Sequence, residues 1–254
     1  MRCPICERPM ARWTTDFQGI GLYRCRCGLA ASEPTGKETY DHPGYFHHWD
    51  GAYGASELAD MSMVLDIMDR HAQGKRLLDV GTGSACLLSL ARQRGYAVEG
   101  TDISAYTCQV VPQKTGITMH HGYLEELHLP ANYDVVSLIH VLEHVNDPVS
   151  TLRKARALLT PAGILFLIVP NWRTPNVILK NWLSALGLAA KPYKHLSCFH
   201  HNWFFCLPTL LRLGEKTGLK TLHEATLCPP RKNGLYHQLV RRFDMDNWLC
   251  AVFR

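Results

Sequence analysis

The 254-residue chain has no apolar run long enough to cross a membrane. Its longest clean stretch, "GILFLIVP" at 163–170, falls well short of the roughly 20 residues a bilayer span needs. The opening "MRCPICERPM" also lacks the apolar segment of a signal peptide, so a cytoplasmic location is expected. No basic stripe with interleaved aromatics is present. The formal charge of +5 is dispersed, which tolerates an anionic partner without demanding nucleic acid. Internal repeats and low-complexity segments are absent too. What remains is a chain with 46% hydrophobic residues, enough for one medium-sized core with a small appendage. The sequence carries no signal of oligomeric state.

Ten cysteines could suggest disulfides, but in a cytosolic chain close cysteine pairs are more often metal ligands and scattered ones buried thiols. Residues 1–34 hold two such pairs, Cys3 with Cys6 and Cys25 with Cys27. Four thiolates from two short loops can close a tetrahedral zinc site, with Gly28 relieving the backbone after the second loop. The second pair has one residue fewer between its cysteines than the usual spacing. It therefore calls for a tight loop or a replacement ligand from His42, His47 or His48. Four protein ligands leave no open position, so this zinc is expected to be structural.

Residues 35–75 read as a linker rich in glycine, aromatics and histidine, followed by a helix capped by Ser56 and running to His71. Strands and helices then alternate. "RLLDV" (76–80), "AVEGTD" (97–102), "ITMHH" (117–121), "YDVVSLI" (133–139) and "GILFLIV" (163–169) are predicted strands, with helices over 84–94, 104–115 and 147–159. Strands alternating with helices of this length predict an α/β fold with a doubly wound, Rossmann-like parallel sheet. The uniformly apolar last strand fits a sheet covered on both faces.

The first strand ends in "LLDVGTGSACLLSLA", an acidic residue followed by Gly81 and Gly83 and then a helix. The glycines permit a tight turn and close approach of a ligand to the backbone, and the helix start offers free amide donors. A dinucleotide fingerprint would place a third glycine at position 86, where Cys86 stands, which weakens a nicotinamide reading. Asp102, about twenty residues on at the end of the second strand, can accept both hydroxyl protons of a ribose.

"LLDVGTGSA", "VEGTDIS", "YDVVSLIHVLEHVNDP" and "LTPAGILFLIVPN" together resemble the successive motifs of class I S-adenosylmethionine-dependent methyltransferases, over roughly residues 76–228. "YRCRCGLAASEP" resembles the zinc-ribbon leader on a branch of that family that acts on sugars and other small metabolites. The resemblance implies a seven-stranded methyltransferase sheet over 76–254, with the zinc ribbon at 1–34 and a lid insertion at about 172–203. It also implies S-adenosyl-L-methionine as cofactor. Asp79, Gly81 and Gly83 would cradle the methionine part, Asp102 would hold the ribose and Ile103 would pack on the adenine. Tyr123 stands where the family usually has an acid, so Tyr123 and Leu124 would contact the adenine through backbone atoms and apolar packing. Ile139 and His140 would lie next to the reactive methyl. "GLKTLHEATLC" and "DNWLCAVFR" would supply the sixth and the antiparallel seventh strand.

"VSLIHVLEHV" then places His140, Glu143 and His144 at the end of the fourth strand of this domain. A helical turn starting at His140 would put all three on one face. H-x-x-E-H also occurs in zinc proteases, but there it belongs inside a long helix. Ubiquinone-pathway O-methyltransferases and small-RNA 2′-O-methyltransferases look similar here. They carry E-x-x-E-H and a later histidine that resemble a divalent-metal site, and His201 falls at that later position. Imidazole in place of the first carboxylate would shift the preference away from magnesium. Three roles stay open for His140, Glu143, His144 and His201: a second, divalent metal site, general base or substrate contact, or bracing of the sheet.

The lid carries Trp182, Leu183, Leu186 and Leu188, which can form an amphipathic helix over an apolar pocket. The expected activity is methylation, at oxygen, of a small hydroxylated metabolite such as a sugar or aromatic intermediate. Two alternatives are a metal-assisted RNA 2′-O-methyltransferase and a cofactor-binding protein without turnover.

Overall fold

The computed structural model describes residues 1–33, 53–227 and 247–254. Eleven strands divide between two sheets. β1 (Ala11–Thr15), β2 (Gly21–Arg24) and β3 (Ala30–Ser32) form an antiparallel sheet at the amino terminus. Its fourth strand comes from far along the chain: β9 (Trp203–Phe204) pairs antiparallel with β3 through Ala30↔Phe204 and Ala31↔Trp203.

The large sheet contains β4 (Arg76–Val80), β5 (Ala97–Asp102), β6 (Thr118–His121), β7 (Tyr133–Ile139), β8 (Leu159–Pro170), β10 (Thr221–Leu227) and β11 (Trp248–Phe253). Their order is β10-β11-β8-β7-β4-β5-β6, with β11 antiparallel to both neighbours and the pairings from β8 through β6 parallel. This is the expected doubly wound sheet, closed on one side by an antiparallel strand. The chain reverses direction of winding at β4, which puts a crevice at the carboxyl ends of β4, β5 and β7.

Helices α1 (Ala55–His71), α2 (Cys86–Gln93), α3 (Ala105–Thr115), α4 (Pro148–Ala157), α5 (Pro175–Ala185) and α6 (Leu207–Lys216) connect or cover these strands. Two starts follow directly from local chemistry. Ser104 Oγ accepts the Thr107 amide at 3.2 Å at the head of α3, and Asp147 Oδ1 accepts the Val149 amide at 3.0 Å at the head of α4, where Pro148 occupies the first turn. Ser56 does not cap α1: Gly54 is the N-cap, and Ser56 lies within the first turn. β8 starts four residues earlier than its apolar run because Leu159–Pro170 continues the ladder past the core, and its buried part is the apolar run itself. The central strands bury almost everything they carry, including Val135, Val136 and Leu138 of β7 and Leu165 to Val169 of β8.

No helix among the described residues is long and apolar enough to cross a membrane. His42, His47 and His48, offered as replacement zinc ligands, lie outside the described residues.

Candidate active site

β4 delivers Asp79 to the crevice almost fully buried. The register sets Asp79 opposite Ser137 of β7, and Ser137 Oγ donates to Asp79 Oδ1 at 2.6 Å. The following turn uses the two expected glycines, with φ of +69° at Gly81 and +55° at Gly83. They serve different needs. A Cβ at Gly81 would meet Val141 Cγ2 at 2.5 Å, so Gly81 lets the loop after β7 close over the turn, whereas a Cβ at Gly83 would point into open space. Thr82 Oγ1 donates to the Asp79 carbonyl at 2.9 Å and pins the turn.

Asp102 ends β5 on the other side of the turn. Its Oδ2 accepts the Gly83 amide at 3.1 Å and its Oδ1 the Ser104 amide at 2.9 Å. Burial raises both carboxyls, Asp79 to about 7, and the negative charge of Asp102 adds to the rise at Asp79. Among the described residues neither forms an ion pair with lysine or arginine. A buried acid at Asp79 and a half-buried one at Asp102, beside open space at Gly83 and without a lysine or arginine partner among the described residues, fit a ligand that is itself cationic, as S-adenosylmethionine is at its ammonium and sulfonium. Ile103 is half-buried next to Asp102, and its carbonyl accepts the His121 Nε2 proton at 3.1 Å. Leu124 is buried, and the Tyr123 side chain is 54% exposed.

β7 ends abruptly at His140, whose φ of +55° turns the chain out of the sheet while its amide still donates to the Ile168 carbonyl at 2.8 Å. The imidazole packs edge-on against Trp248 of β11 at 5.0 Å and faces Glu143 Oε1 across 3.4 Å. Glu143 is 1% exposed, and its Oε2 has no hydrogen-bond partner among the described residues. An orphaned carboxylate oxygen at that depth costs several kcal/mol unless a cation or proton reaches it.

His201 comes to this carboxylate from residues 197–206. Ligand atoms of Glu143, His144 and His201 all lie within 4.8 Å of one another, a spacing at which one ion could bind all three. His144 Nδ1 donates to the His200 carbonyl at 2.7 Å, a bond that fixes the tautomer with the lone pair on Nε2, the nitrogen nearer Glu143. Burial pushes His201 down to about 4, so its imidazole is neutral and a poor proton acceptor but available as a ligand. His140 is not one of the three converging groups. It touches the trio only at Glu143, so the four residues expected to act together separate into a trio and a neighbour.

Two clamps hold His201. Asn202 and Trp203 amides donate to the Glu143 carbonyl at 2.8 and 3.1 Å, and Asn202 Nδ2 donates to the His144 carbonyl at 2.6 Å. From the other side Ser32 Oγ donates to the His201 carbonyl at 2.7 Å, and the Ser32 amide donates to the Asn202 carbonyl at 3.1 Å. The amino-terminal sheet thus braces the segment that carries His201. Ser137 was detectable in the sequence as the hydroxyl that interrupts the apolar run from Val135 to Ile139. Nothing in the sequence marks Ser32.

Cys3, Cys6, Cys25 and Cys27 bring their Sγ atoms within 4.8 Å of one another, with Cys3 and Cys27 3.6 Å apart and Cys6 and Cys25 3.3 Å apart. The short second loop closes because Gly28, at φ +105°, lets its amide donate to the Cys25 carbonyl at 3.0 Å. Four converging thiols are the donor set that tetrahedral zinc takes.

A family described as "Methyltransferase domain" matches residues 52–224. The chain belongs to the class I S-adenosylmethionine-dependent methyltransferases. Within that family it is 32% identical over 188 residues to a ubiquinone biosynthesis O-methyltransferase of Leptothrix cholodnii, covering 70% of this chain and 73% of that one. It is 36% identical over 109 residues to the protein of the same name in Haemophilus ducreyi, covering 39% of this chain and 46% of the other. The match thus spans about half the length of that relative. Among solved structures, an S-adenosylmethionine-dependent methyltransferase from Mesorhizobium loti superposes with a TM-score of 0.59 at 22% identity, covering 79% of this chain and 98% of that one. Magnesium protoporphyrin IX methyltransferase from Synechocystis PCC 6803 superposes with a TM-score of 0.58 at 16% identity, covering 84% and 95%. At these identities the structures support the methyltransferase fold alone.

The segment expected to form a lid contains α5; Trp182, Leu183, Leu186 and Leu188 are exposed, and the buried residues of α5 are Asn181 and Ser184. His195 Nε2 donates to Asn181 Oδ1 at 3.0 Å and the Tyr193 amide to Ser184 Oγ at 3.0 Å. The polar face of α5 is therefore bonded inward to the turn that follows it.

Proposed function

We propose that this methyltransferase transfers a methyl group to a hydroxyl of a small acceptor, an aromatic metabolite in preference to a sugar. The observation that carries the reading is the convergence of Glu143, His144 and His201 beside His140 at the end of β7. Relatives named ubiquinone biosynthesis O-methyltransferase support oxygen as the target and an aromatic ring as the acceptor class.

S-adenosylmethionine, when bound, supplies an electrophilic methyl on its sulfonium. Asp79, Gly81 and Gly83 would hold its methionine end, and Asp102 the ribose, with Ile103 and Leu124 lining the adenine. Glu143, His144 and His201 would bind a divalent cation, which lowers the pKa of a hydroxyl it touches. With Nδ1 directed at Glu143, His140 would take the acceptor proton at Nε2. Cys3, Cys6, Cys25 and Cys27 would bind a structural zinc that fixes the brace on His201.

Incubation with S-adenosylmethionine and a panel of phenols and catechols, read as S-adenosylhomocysteine formation, tests the activity. Product with an aromatic hydroxyl is expected. Cofactor binding without product across the panel would return the chain to a non-catalytic reading, and a steep loss of acceptor binding with salt would favour RNA. Elemental analysis should find two metals per chain and His201→Ala should retain only one, with cofactor affinity unchanged. One metal and full activity after chelation would remove the divalent site. His140→Ala should lower kcat by roughly 10² to 10⁴.

A further inference from the structure

We propose that Arg24 and Arg173 form an oxyanion site at the seam between the two sheets, one that takes a carboxylate or phosphate group of the acceptor; that the ligand is the acceptor rests on the methyl transfer proposed above. Arg24 is the last residue of β2, and its guanidinium carbon lies 3.2 Å from the ring centre of Trp13 and 4.9 Å from that of Trp172. The guanidinium carbon of Arg173 lies 5.7 Å from the same Trp172 ring. One indole thus gathers two cations, one from the small sheet and one from the loop after β8. Stacking uses the flat face of a guanidinium and leaves its N–H fork, which lies in the plane of the group, for a ligand.

The fork meets no acceptor within the protein. Among the described residues neither guanidinium makes a hydrogen bond or an ion pair with a carboxylate. Arg24 Nε and Trp172 Nε1 are buried donors without a partner there, although such groups are ordinarily paired. No aspartate or glutamate occurs between Asp147 and Glu215, the stretch that carries Trp172, Arg173 and Tyr193. The acids of residues 1–33 are engaged or distant. Glu7 pairs with Lys216, Asp16 accepts the Gln18 and Ile20 amides, and Glu33 stands beside Gly21 at the other end of β2, roughly 10 Å from Arg24. Burial holds the Arg24 guanidinium below its ordinary pKa, and the charge of Arg173 adds to that. An oxyanion at the rim of the shared indole would relieve both.

Position points to the acceptor. Trp172 stands just beyond the carboxyl end of β8, where its amide donates to the Phe205 carbonyl at 3.2 Å. Phe204 packs with Trp172 and Tyr193 in one apolar cluster, and its ring stands 6.3 Å from that of His201. The two guanidiniums therefore border the segment that carries His201. In the large sheet β7 separates β8 from β4 and its cofactor turn, so the anion is not the carboxylate of S-adenosylmethionine. Arg173 is exposed and Arg24 half-buried, which leaves the fork open to a small ligand.

Trp13 and Trp172 make the site visible to intrinsic fluorescence. Titration of the full chain with phenylacetate, phenyl phosphate and the uncharged phenylacetamide should give a saturable change with the anions and none with the amide. Arg173→Gln alters an exposed side chain and should weaken anion binding about tenfold, the loss of one charge-assisted pair, and Arg24→Gln should weaken it at least as much. The anion that binds more tightly names the group as carboxylate or phosphate. In methyl-transfer assays a hydroxylated form of that anion should exceed hydroxyphenylacetamide in kcat/KM by about tenfold, and Arg173→Gln should erase the preference. No saturable response, an equal response to phenylacetamide, or anion affinity unchanged in Arg173→Gln would overturn the site. Anion binding that depends on Arg173 without any acid preference in turnover would overturn its assignment to the acceptor. Absence of methyl transfer to every hydroxyl would instead refute the proposed activity, and the titration would still decide the site.

Discussion

Asp79→Asn should stabilise the ligand-free protein at alkaline pH while weakening its hold on the cofactor. Burial raises the Asp79 carboxyl from 3.8 to about 7, with the charge of Asp102 adding to the rise and the Ser137 hydroxyl opposing it. Between about pH 4 and pH 7 the folded protein keeps a proton that the unfolded chain has released, so wild-type stability falls as pH rises through that window. Three pH units at about 1.4 kcal/mol each give a ceiling of about 4 kcal/mol, fully expressed above pH 7. Asparagine carries no charge, and its Oδ1 can still accept from Ser137, so the variant lacks this slope. Urea unfolding should therefore give nearly equal stabilities near pH 4 and a gain of about 2 to 4 kcal/mol for the variant near pH 8. Cofactor binding has the opposite dependence. A cationic ligand favours the ionised carboxyl, so wild-type affinity measured by calorimetry should tighten as pH rises towards about 7, and the variant's should stay flat and weaker. Equal stability differences at both pH values, or a variant less stable near pH 8, would refute the account of Asp79 as an uncompensated buried acid.

Asp102→Ala should weaken cofactor binding by roughly tenfold or more through loss of one charge-assisted hydrogen bond, measured by titration calorimetry. Ser32→Ala should cost about 1 to 2 kcal/mol of stability in urea and weaken divalent-cation binding at the site proposed for Glu143, His144 and His201, since it frees the His201 carbonyl. If the four cysteines hold zinc as proposed, Cys6→Ser should remove it in elemental analysis and lower activity together with it, although Cys6 lies in the turn ahead of the amino-terminal sheet. Gly214→Ala should destabilise by about 1 to 3 kcal/mol in a thermal melt, because its methyl would run into the Phe253 ring.

The fold was legible because each strand of the large sheet carries its own signature. The unbroken apolar run of β8 and the acid-glycine turn after β4 each fix a place in the sheet without reference to anything remote. Asp102 was legible for the same reason, as an acid at a strand end a set distance from a glycine turn. The brace on His201 was not. Ser32 and His201 are 169 positions apart, and a serine hydroxyl meeting a backbone carbonyl leaves no trace in the residue types. Which face of α5 is buried was not legible for a related reason. Apolar periodicity shows that a helix has two faces, and here the choice between them is made by Asn181 and Ser184, whose partners His195 and Tyr193 lie beyond the helix. Within "VSLIHVLEHV" a single helical turn was expected to gather three side chains. The positive φ at His140 starts no helical turn there, and although His140 Nδ1 reaches Glu143 Oε1 at 3.4 Å, the group that converges with Glu143 and His144 is the remote His201.

The pairing of β3 with β9 has a consequence for how the chain is made. β3 is complete by residue 32, but its partner is not synthesised until residue 204, a delay of roughly 10 to 30 s at ordinary translation rates. Throughout that interval the small sheet presents an unpaired edge, the kind of surface on which strands of other chains add. A bound zinc would keep the edge in one shape until its own strand arrives. Zinc supply during synthesis, rather than in the finished protein, would then set how much of the chain reaches an assembled His201 site.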